Sequence, residues 1–161
     1  MDEMIFSDLS QLDVMTPSDE GNWLEVLNPV TKKPVVFENQ DGKLVTMAFK
    51  LAGPHSERMQ KYLADSLDRT IKEGRKGNLA NDAEAVKSRE TLLYAHATLD
   101  WRIPKVDGEW LPYSPQAVRR VLSDLRFSWV RDQVAQGCGD ADPFMKRLQS
   151  SWNALQSAPS N

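Results

Sequence analysis

The chain has 161 residues, a formal net charge of −3 at pH 7 and a hydrophobic fraction of 40%. This length and composition predict a single domain with a buried core, and no apolar run approaches the roughly 18 residues of a membrane-spanning helix. The slightly acidic balance argues against bulk binding to nucleic acid, which needs a concentrated basic face.

The first 21 residues are predicted to form a flexible acidic leader. Between Met1 and Glu20 the sequence has six acidic side chains and no Lys or Arg, a composition that favours mobility. Its apolar residues Ile5, Phe6, Leu9 and Leu12 recur at helical spacing, so a short helix that orders on a partner is the alternative. The acids and the missing long apolar run do not fit a secretory signal, which predicts a cytoplasmic protein.

Residues 22–53 are predicted to form a three-stranded antiparallel β-meander. Its strands are the alternating segment Trp23–Leu27, the run Val35–Phe37 and the run Leu44–Leu51. The turn Asn39–Gly42 contains Asp-Gly, a strong local hairpin signal between β-rich segments.

Residues 54–156 are predicted to be the helical part of the same domain, followed by a loose tail at 157–161. The fold class is therefore α+β, a small N-terminal meander followed by about five helices. The first of these helices is expected to end near Arg75, and the second to run from about Asn81 to Asp100. The third is expected to begin at Ser114-Pro115, the fourth to contain Trp129–Val134, and the fifth to begin at Asp142-Pro143.

Cap residues and apolar periodicity support these helices. Asn81 with Glu84 fits an N-cap and N3 pair, and Ser114 with Pro115 fits an N-cap followed by proline at N1. The first helix of this part has an apolar stripe at 3.6-residue periodicity, made of Met59, Tyr62, Leu63, Ser66, Leu67 and Ile71.

Three tryptophans within Ala97–Val134 make this segment the most informative part of the chain. Large aromatic side chains are costly to leave in water and need a fitted surface. We predict that Leu93, Trp101 and Trp129 are core residues. We expect three further aromatic residues to contribute to a protein-binding or self-association surface, namely Trp110, Tyr113 and Trp152.

The sequence has no recognisable catalytic, metal-binding or cofactor-binding motif. His55 and His96 stand outside any metal-ligand spacing, and Cys138 has no histidine nearby in sequence to activate it. The single cysteine cannot form an internal disulfide, which is typical of a reducing compartment. We therefore predict a protein that is not an enzyme and that needs no metal or cofactor.

Several segments resemble the tail assembly chaperones of long-tailed bacteriophages and prophages. Gly53–Arg58 resembles the family's G-P-D-S segment, with His55 where an acid is more usual. Leu111–Arg119 resembles its L-P-x-[ST]-x-E-N-A pattern, and Phe127–Val134 is similar to its F-x-W-[LI]-R-E-Q-V. Together with Ala97–Trp101 and the late aromatic Phe144, the resemblance extends from Trp23 to Phe144.

The resemblance implies a small, non-enzymatic protein of the host cytoplasm that is absent from the mature virion. Such chaperones bind the tape-measure protein before the tail tube polymerises, and tail-tube subunits are a further expected partner. No membrane association is implied, and self-association along an extended client is an open expectation.

Two other classes of function remain open at the level of sequence. The helices near 115–136 could form a helix-turn-helix of a small phage-encoded inhibitor or DNA-associated regulator, presenting Ser128, Arg131, Asp132 and Gln133. The acid in that set and the acidic chain are a poor match to DNA. The third class is an enzyme without a recognisable motif.

Overall fold

The computed structural model describes residues 13–75, 77 and 82–143. The α+β fold class is confirmed: a small antiparallel sheet region is combined with five helices. The described elements are α1 Met15–Glu20, β1 Asn22–Glu25, β2 Val36–Glu38, β3 Leu44–Thr46, β4 Ala48–Leu51, α2 Glu57–Arg75, α3 Ala83–Ala97, β5 Thr98–Arg102, α4 Pro115–Ser123, a short 3-10 turn Leu125–Phe127 and α5 Ser128–Gly139.

The strands do not form the simple meander that the sequence predicts. The sheet order is β1-β4-β5, all antiparallel, and β2 pairs with β3 in a separate hairpin. The predicted strand Leu44–Leu51 divides at Met47, so that its first half pairs with β2 and its second half with β1 and β5. The Asn39–Gly42 turn does connect β2 to β3, with the Asn39 side chain accepting from the Asp41 and Lys43 amides.

A three-way backbone junction explains why the long strand divides. The Val26 amide donates to the Met47 carbonyl at 2.9 Å, the Val35 amide to Val26 at 2.9 Å, and the Met47 amide to Val35 at 2.8 Å. Each segment therefore gives one bond to a different neighbour. Val26 is fully buried and Met47 nearly so, so the apolar side chains at the junction hold the two sheets together.

The second predicted helix ends three residues early, and its expected continuation is a strand. α3 stops at Ala97, and Thr98–Arg102 pairs with β4 as the edge strand β5. Trp101 lies opposite Phe49, and the two rings meet edge to face with centroids 5.9 Å apart. The apolar spacing in the sequence predicted a helix as far as Asp100, but strand pairing and aromatic packing across the sheet override it.

The helix caps agree with the sequence in one case and differ in another. Ser114 caps α4, its hydroxyl accepting from the Ala117 amide at 3.0 Å, with Pro115 opening the helix as predicted. α3 is capped by Asp82, which accepts from the Ala85 amide at 2.7 Å. Asn81, the predicted cap, lies outside the described residues.

The folded body begins earlier in the chain than the sequence predicts. Met15–Glu20 is helical and Ser18 is fully buried, so the last part of the predicted flexible leader belongs to the folded body. The structure does not describe residues 1–12 and 144–161. Most of the fifth predicted helix, the predicted loose tail and Phe144 therefore lie outside the described residues.

The main core lies between the sheet and the helices α4 and α5. Phe49 and Trp101 from the sheet meet apolar side chains from both helices, and Ile103 closes one end. The α4 and α5 residues in this core are all at most 5% exposed, namely Val118, Val121, Leu122, Val130 and Val134. In the described part of the chain, no helix is both long and apolar enough to cross a bilayer.

Candidate protein-binding surface

Helix α2 carries an uncovered row of large aliphatic side chains, which we name the α2 stripe and define as Leu63, Leu67 and Ile71. Their exposed fractions are 49%, 61% and 44%. The i, i+4 spacing places all three on one side of the helix. Met59, one turn earlier, is the buried residue of α2, so the helix is packed at its start and open to solvent along the rest of this side.

Among the described residues, the hydrogen bonds and the ring contact that connect α2 to the rest of the fold lie near its N-terminal end. The buried Ser56 hydroxyl accepts from the Met59 amide at 3.1 Å. The Arg58 Nε donates to the His96 carbonyl at 2.8 Å, and the Tyr62 ring stacks on His96 with centroids 4.4 Å apart. The α2 stripe begins directly beyond this anchor, and at 1.5 Å per residue it runs for about 12 Å.

The composition of α3 explains why the α2 stripe stays open. The first half of α3, which follows the connection after α2, offers only Val86 as a large aliphatic side chain before Leu92, and Val86 is itself 40% exposed. The buried positions of α3 come later, at Thr91, Ala95 and Ala97. The far half of α2 therefore has no complementary apolar face on α3 to pack against.

One exposed ion pair lies on α2 just before the α2 stripe. Lys61 and Glu57 form an exposed i, i+4 ion pair at 2.9 Å. Their hydrogen bond and mutual attraction lower the pKa of Glu57 and raise the pKa of Lys61. Exposed pairs of this kind contribute little to stability, so this pair adds little to the anchoring of α2.

The structure separates the three aromatic residues predicted to bind a partner. Trp110 is half-buried, packed on Phe37 with centroids 6.0 Å apart and with the Lys105 ammonium 5.2 Å from its ring. Tyr113 lines the same shallow groove as Trp110, but its hydroxyl donates to the Thr98 carbonyl at 2.7 Å and its ring packs edge-on against Trp101. Tyr113 is thus largely committed to the fold, and Trp152 lies outside the described residues.

The three predicted core residues differ in their burial. Trp101 is 6% exposed and its indole Nε1 donates to the Leu111 carbonyl at 3.0 Å. Leu93 is half-buried and packs on the smaller cluster around Met59. Trp129 is half-buried and lines two surface grooves of about 500 and 310 Å³, one on either side of it.

Two of the four residues that a helix-turn-helix would present to DNA make contacts within the fold instead. Arg131 pairs with Glu90 at 3.1 Å and lies over the Tyr94 ring. Gln133 clamps the backbone of Leu27, accepting from its amide and donating to its carbonyl, each at 2.8 Å. Both side chains are therefore engaged within the fold, where they connect α5 to α3 and to the end of β1.

Cys138 and the possible metal-ligating side chains of the described residues are the candidates for a chemical site. Burial raises the pKa of the Cys138 thiol to about 12, which keeps it protonated and poorly nucleophilic at neutral pH. Among the described residues, no three His, Cys, Asp or Glu side chains are grouped so that they could hold a metal ion.

Comparison with known proteins gave no match of any kind. No family model, no curated protein and no solved structure is significantly similar to the chain.

The sequence pattern identified Leu63, Leu67 and Ile71 as part of an apolar stripe, and the structure shows that these three side chains are exposed. An apolar stripe is buried only where a neighbouring element supplies apolar residues to face it.

Proposed function

We propose that this protein is a non-enzymatic binding module that holds an amphipathic helix of another protein against the α2 stripe. The observation that carries the proposal is the exposure of Leu63, Leu67 and Ile71 on a helix that is anchored near its start. Exposed aliphatic rows of this kind mark interaction surfaces. A helix laid along the row would meet it with anchors at i, i+3 or i+4, and i+7.

Within this class, we propose a tail assembly chaperone whose client is a helical part of the phage tape-measure protein. The support is the resemblance of Gly53–Arg58, Leu111–Arg119 and Phe127–Val134 to that family, together with the open stripe. Tail-tube subunits are a second proposed partner. The protein would act in the host cytoplasm and be absent from the finished virion.

The α2 stripe suits a chaperone because the rest of the molecule does not depend on it. Its side chains add little to the core, so they are free to bury apolar surface of a client that would otherwise aggregate. Three aliphatic anchors give a small contact for each copy, and several copies on one long client would raise the effective concentration.

The direct test is co-expression with a phage tape-measure protein, scored by the client's solubility and by pull-down. We expect the wild type to keep the client soluble and the double variant Leu63→Ser/Leu67→Ser to lose capture while still folding. The matched control is Leu125→Ser, because Leu125 is also highly exposed, at 73%, but lies on the 3-10 turn before α5.

Equal capture by the stripe variant and the control would reject the α2 stripe as the client site. Salt-sensitive retention of the purified protein on DNA, without capture of the client, would instead favour the DNA-associated alternative.

A further inference from the structure

Strand β1 has a backbone edge that no described element pairs with. The sheet order is β1-β4-β5, so β4 lies on one side of β1 and the other side is open in the described part of the chain. The Val26 amide donates to the Met47 carbonyl, and β1 keeps this register along β4. Because the bonds of an antiparallel pair alternate along each strand, the N–H and C=O groups of Trp23 and Glu25 point away from β4. We name these groups the β1 edge.

Side chains cover outward backbone groups elsewhere in the same sheet region. Leu27 has the next outward groups after Glu25, and the Gln133 side chain accepts from its N–H and donates to its C=O, each at 2.8 Å. On the opposite edge strand β5, the Asp100 carboxylate accepts from the Trp101 amide at 2.8 Å. Such cover is a usual way to keep an edge strand from pairing with another chain.

The β1 edge lacks this cover. Among the described residues, one side chain reaches it, that of Asn22, whose Nδ2 donates to the Trp23 carbonyl at 3.4 Å. Trp23 is 39% exposed and Glu25 is exposed. The Gln133 amide makes at Leu27 the same pair of hydrogen bonds that an added strand would make at the β1 edge. The edge is therefore open and its outward groups have the geometry for strand addition.

The β1 edge borders the groove of about 500 Å³ that lies between β1 and α5. One face of α5 forms its wall from Trp129 to Asp140, which is about 16 Å along the helix. An extended chain of about five residues spans that distance. A methyl group added at Gly137 would lie 3.0 Å from the Leu24 side chain, so β1 and α5 are in close contact at the bottom of the groove.

The charges around the groove indicate what kind of chain it accepts. Its lining includes the acids Glu25, Asp132 and Asp140 and one base, Lys32. A second copy paired through its own β1 would bring the same acids to the groove, and like charges repel. A segment that carries Lys or Arg is attracted instead, so the charges favour a basic partner over a second copy.

The two faces of β1 select different side chains in the added strand. Successive side chains of a strand point to opposite faces. Leu24 points toward α5, whereas the Trp23 ring lies on the other face with the Arg102 guanidinium 4.5 Å from its centroid. An added strand with alternating basic and apolar residues would therefore direct its bases toward α5 and its apolar side chains to the Trp23 side.

We propose that the β1 edge binds an extended segment of another protein by strand addition, with Lys or Arg side chains directed at Asp132 and Asp140 and apolar side chains beside Trp23. This site shares no residue with the α2 stripe. The proposal therefore stands or falls independently of the helix-binding function proposed above.

The test uses the full-length protein and a synthetic peptide of alternating Lys and Val with blocked ends. Binding is measured by titration and located by amide hydrogen exchange followed by NMR. We expect the peptide to slow exchange at the Trp23 and Glu25 amides severalfold and to change the Leu24 amide, which faces β4, much less.

Two control peptides separate backbone pairing from charge. A backbone N-methylated Lys-Val peptide keeps the charge but loses its N–H donors, and a Glu-Val peptide keeps the donors but reverses the charge. We expect both to bind severalfold more weakly. Equal binding of the N-methylated peptide would reduce the interaction to charge attraction and overturn strand addition, and equal binding of the Glu-Val peptide would overturn the basic partner.

Matched variants test the same two features in the protein. Glu25→Pro removes the outward N–H without removing a bond to β4, a change that edge strands accept, and Glu25→Ala keeps the N–H. We expect Glu25→Pro to bind the Lys-Val peptide severalfold more weakly than Glu25→Ala. Asp132→Lys should also weaken binding severalfold, whereas Asp68→Lys, the same charge change at an exposed site on α2, should not.

Equal affinities within either pair of variants would contradict the proposal, and the Asp132 pair decides the outcome if Glu25→Pro fails to fold. The exchange rates of the protein without peptide give a further check. Slow exchange at Trp23 and Glu25 at every protein concentration would mean that this chain covers its own edge. Protection that rises with protein concentration would assign the edge to a second copy, and either result would overturn the proposed partner.

Discussion

Helices α2 and α4 show how the same apolar spacing in the sequence can give an exposed row in one helix and a buried row in another. In α4, apolar residues at helical spacing are buried, with Val118 at 0% and Leu122 at 1% exposure. In α2, an equally regular row leaves Leu67 61% exposed. α4 packs against α3 and α5 and contributes to the main core, whereas the first half of α3 offers few apolar side chains that could cover α2. Periodicity thus defines which side of a helix is apolar, and the neighbouring elements decide whether that side is buried.

The largest test of this comparison is truncation of a tryptophan in the buried region. Trp101→Ala removes a ring packed on Phe49 and Tyr113 and should lower the free energy of unfolding by about 3–5 kcal/mol. Leu67→Ala is the counterpart on the exposed row and should change it by no more than about 0.5 kcal/mol. Both values are measured by urea denaturation.

Similar losses in these two variants would mean that the α2 row is covered more firmly than its exposure indicates.

A smaller effect is expected at the contact between α5 and the end of β1. Gln133→Ala removes both hydrogen bonds to the Leu27 backbone and should cost about 1–3 kcal/mol of unfolding free energy, because partly buried backbone groups lose their partners. Gln136→Ala, at an exposed site three residues later in the same helix, is the control. No difference between the two in thermal or urea unfolding would refute a structural role for the clamp.

The smallest expected effect is a pH dependence at the base of α2. Burial, with a further contribution from the Arg58 charge, lowers the pKa of His96 below its ordinary value of 6.5, although a hydrogen bond with the Arg58 backbone opposes this. The folded protein therefore binds fewer protons than the unfolded chain as the pH falls through about 6.5. The contribution of His96 to stability is complete above that pH and is lost below it.

We expect acidification to destabilise the wild type slightly more than His96→Gln, measured as unfolding free energies at about pH 8 and about pH 5.5. His55→Gln, at an exposed site before α2, should behave like the wild type. If the His96→Gln protein is as sensitive to acid as the wild type, protonation of His96 does not cause the loss of stability.

The sequence by itself determined the α+β class, the β2–β3 hairpin and the start of α4. These features rest on local chemistry: Asp41-Gly42 suits a tight turn, and Ser114-Pro115 supplies both a cap and a preset backbone angle. The apolar side of α2 was also predictable, because it depends only on residue spacing within one helix.

Tertiary structure alone decided what each segment packs against. Thr98–Arg102 became a strand because β4 offered an unpaired edge and Phe49 a ring surface for Trp101. Tyr113 was drawn into the fold by a hydrogen bond to a residue 15 positions away, whereas Leu63 and Leu67 stayed open because no described element supplies a matching apolar face. Local spacing cannot encode these outcomes, since burial is a property of two surfaces and a sequence pattern describes only one of them.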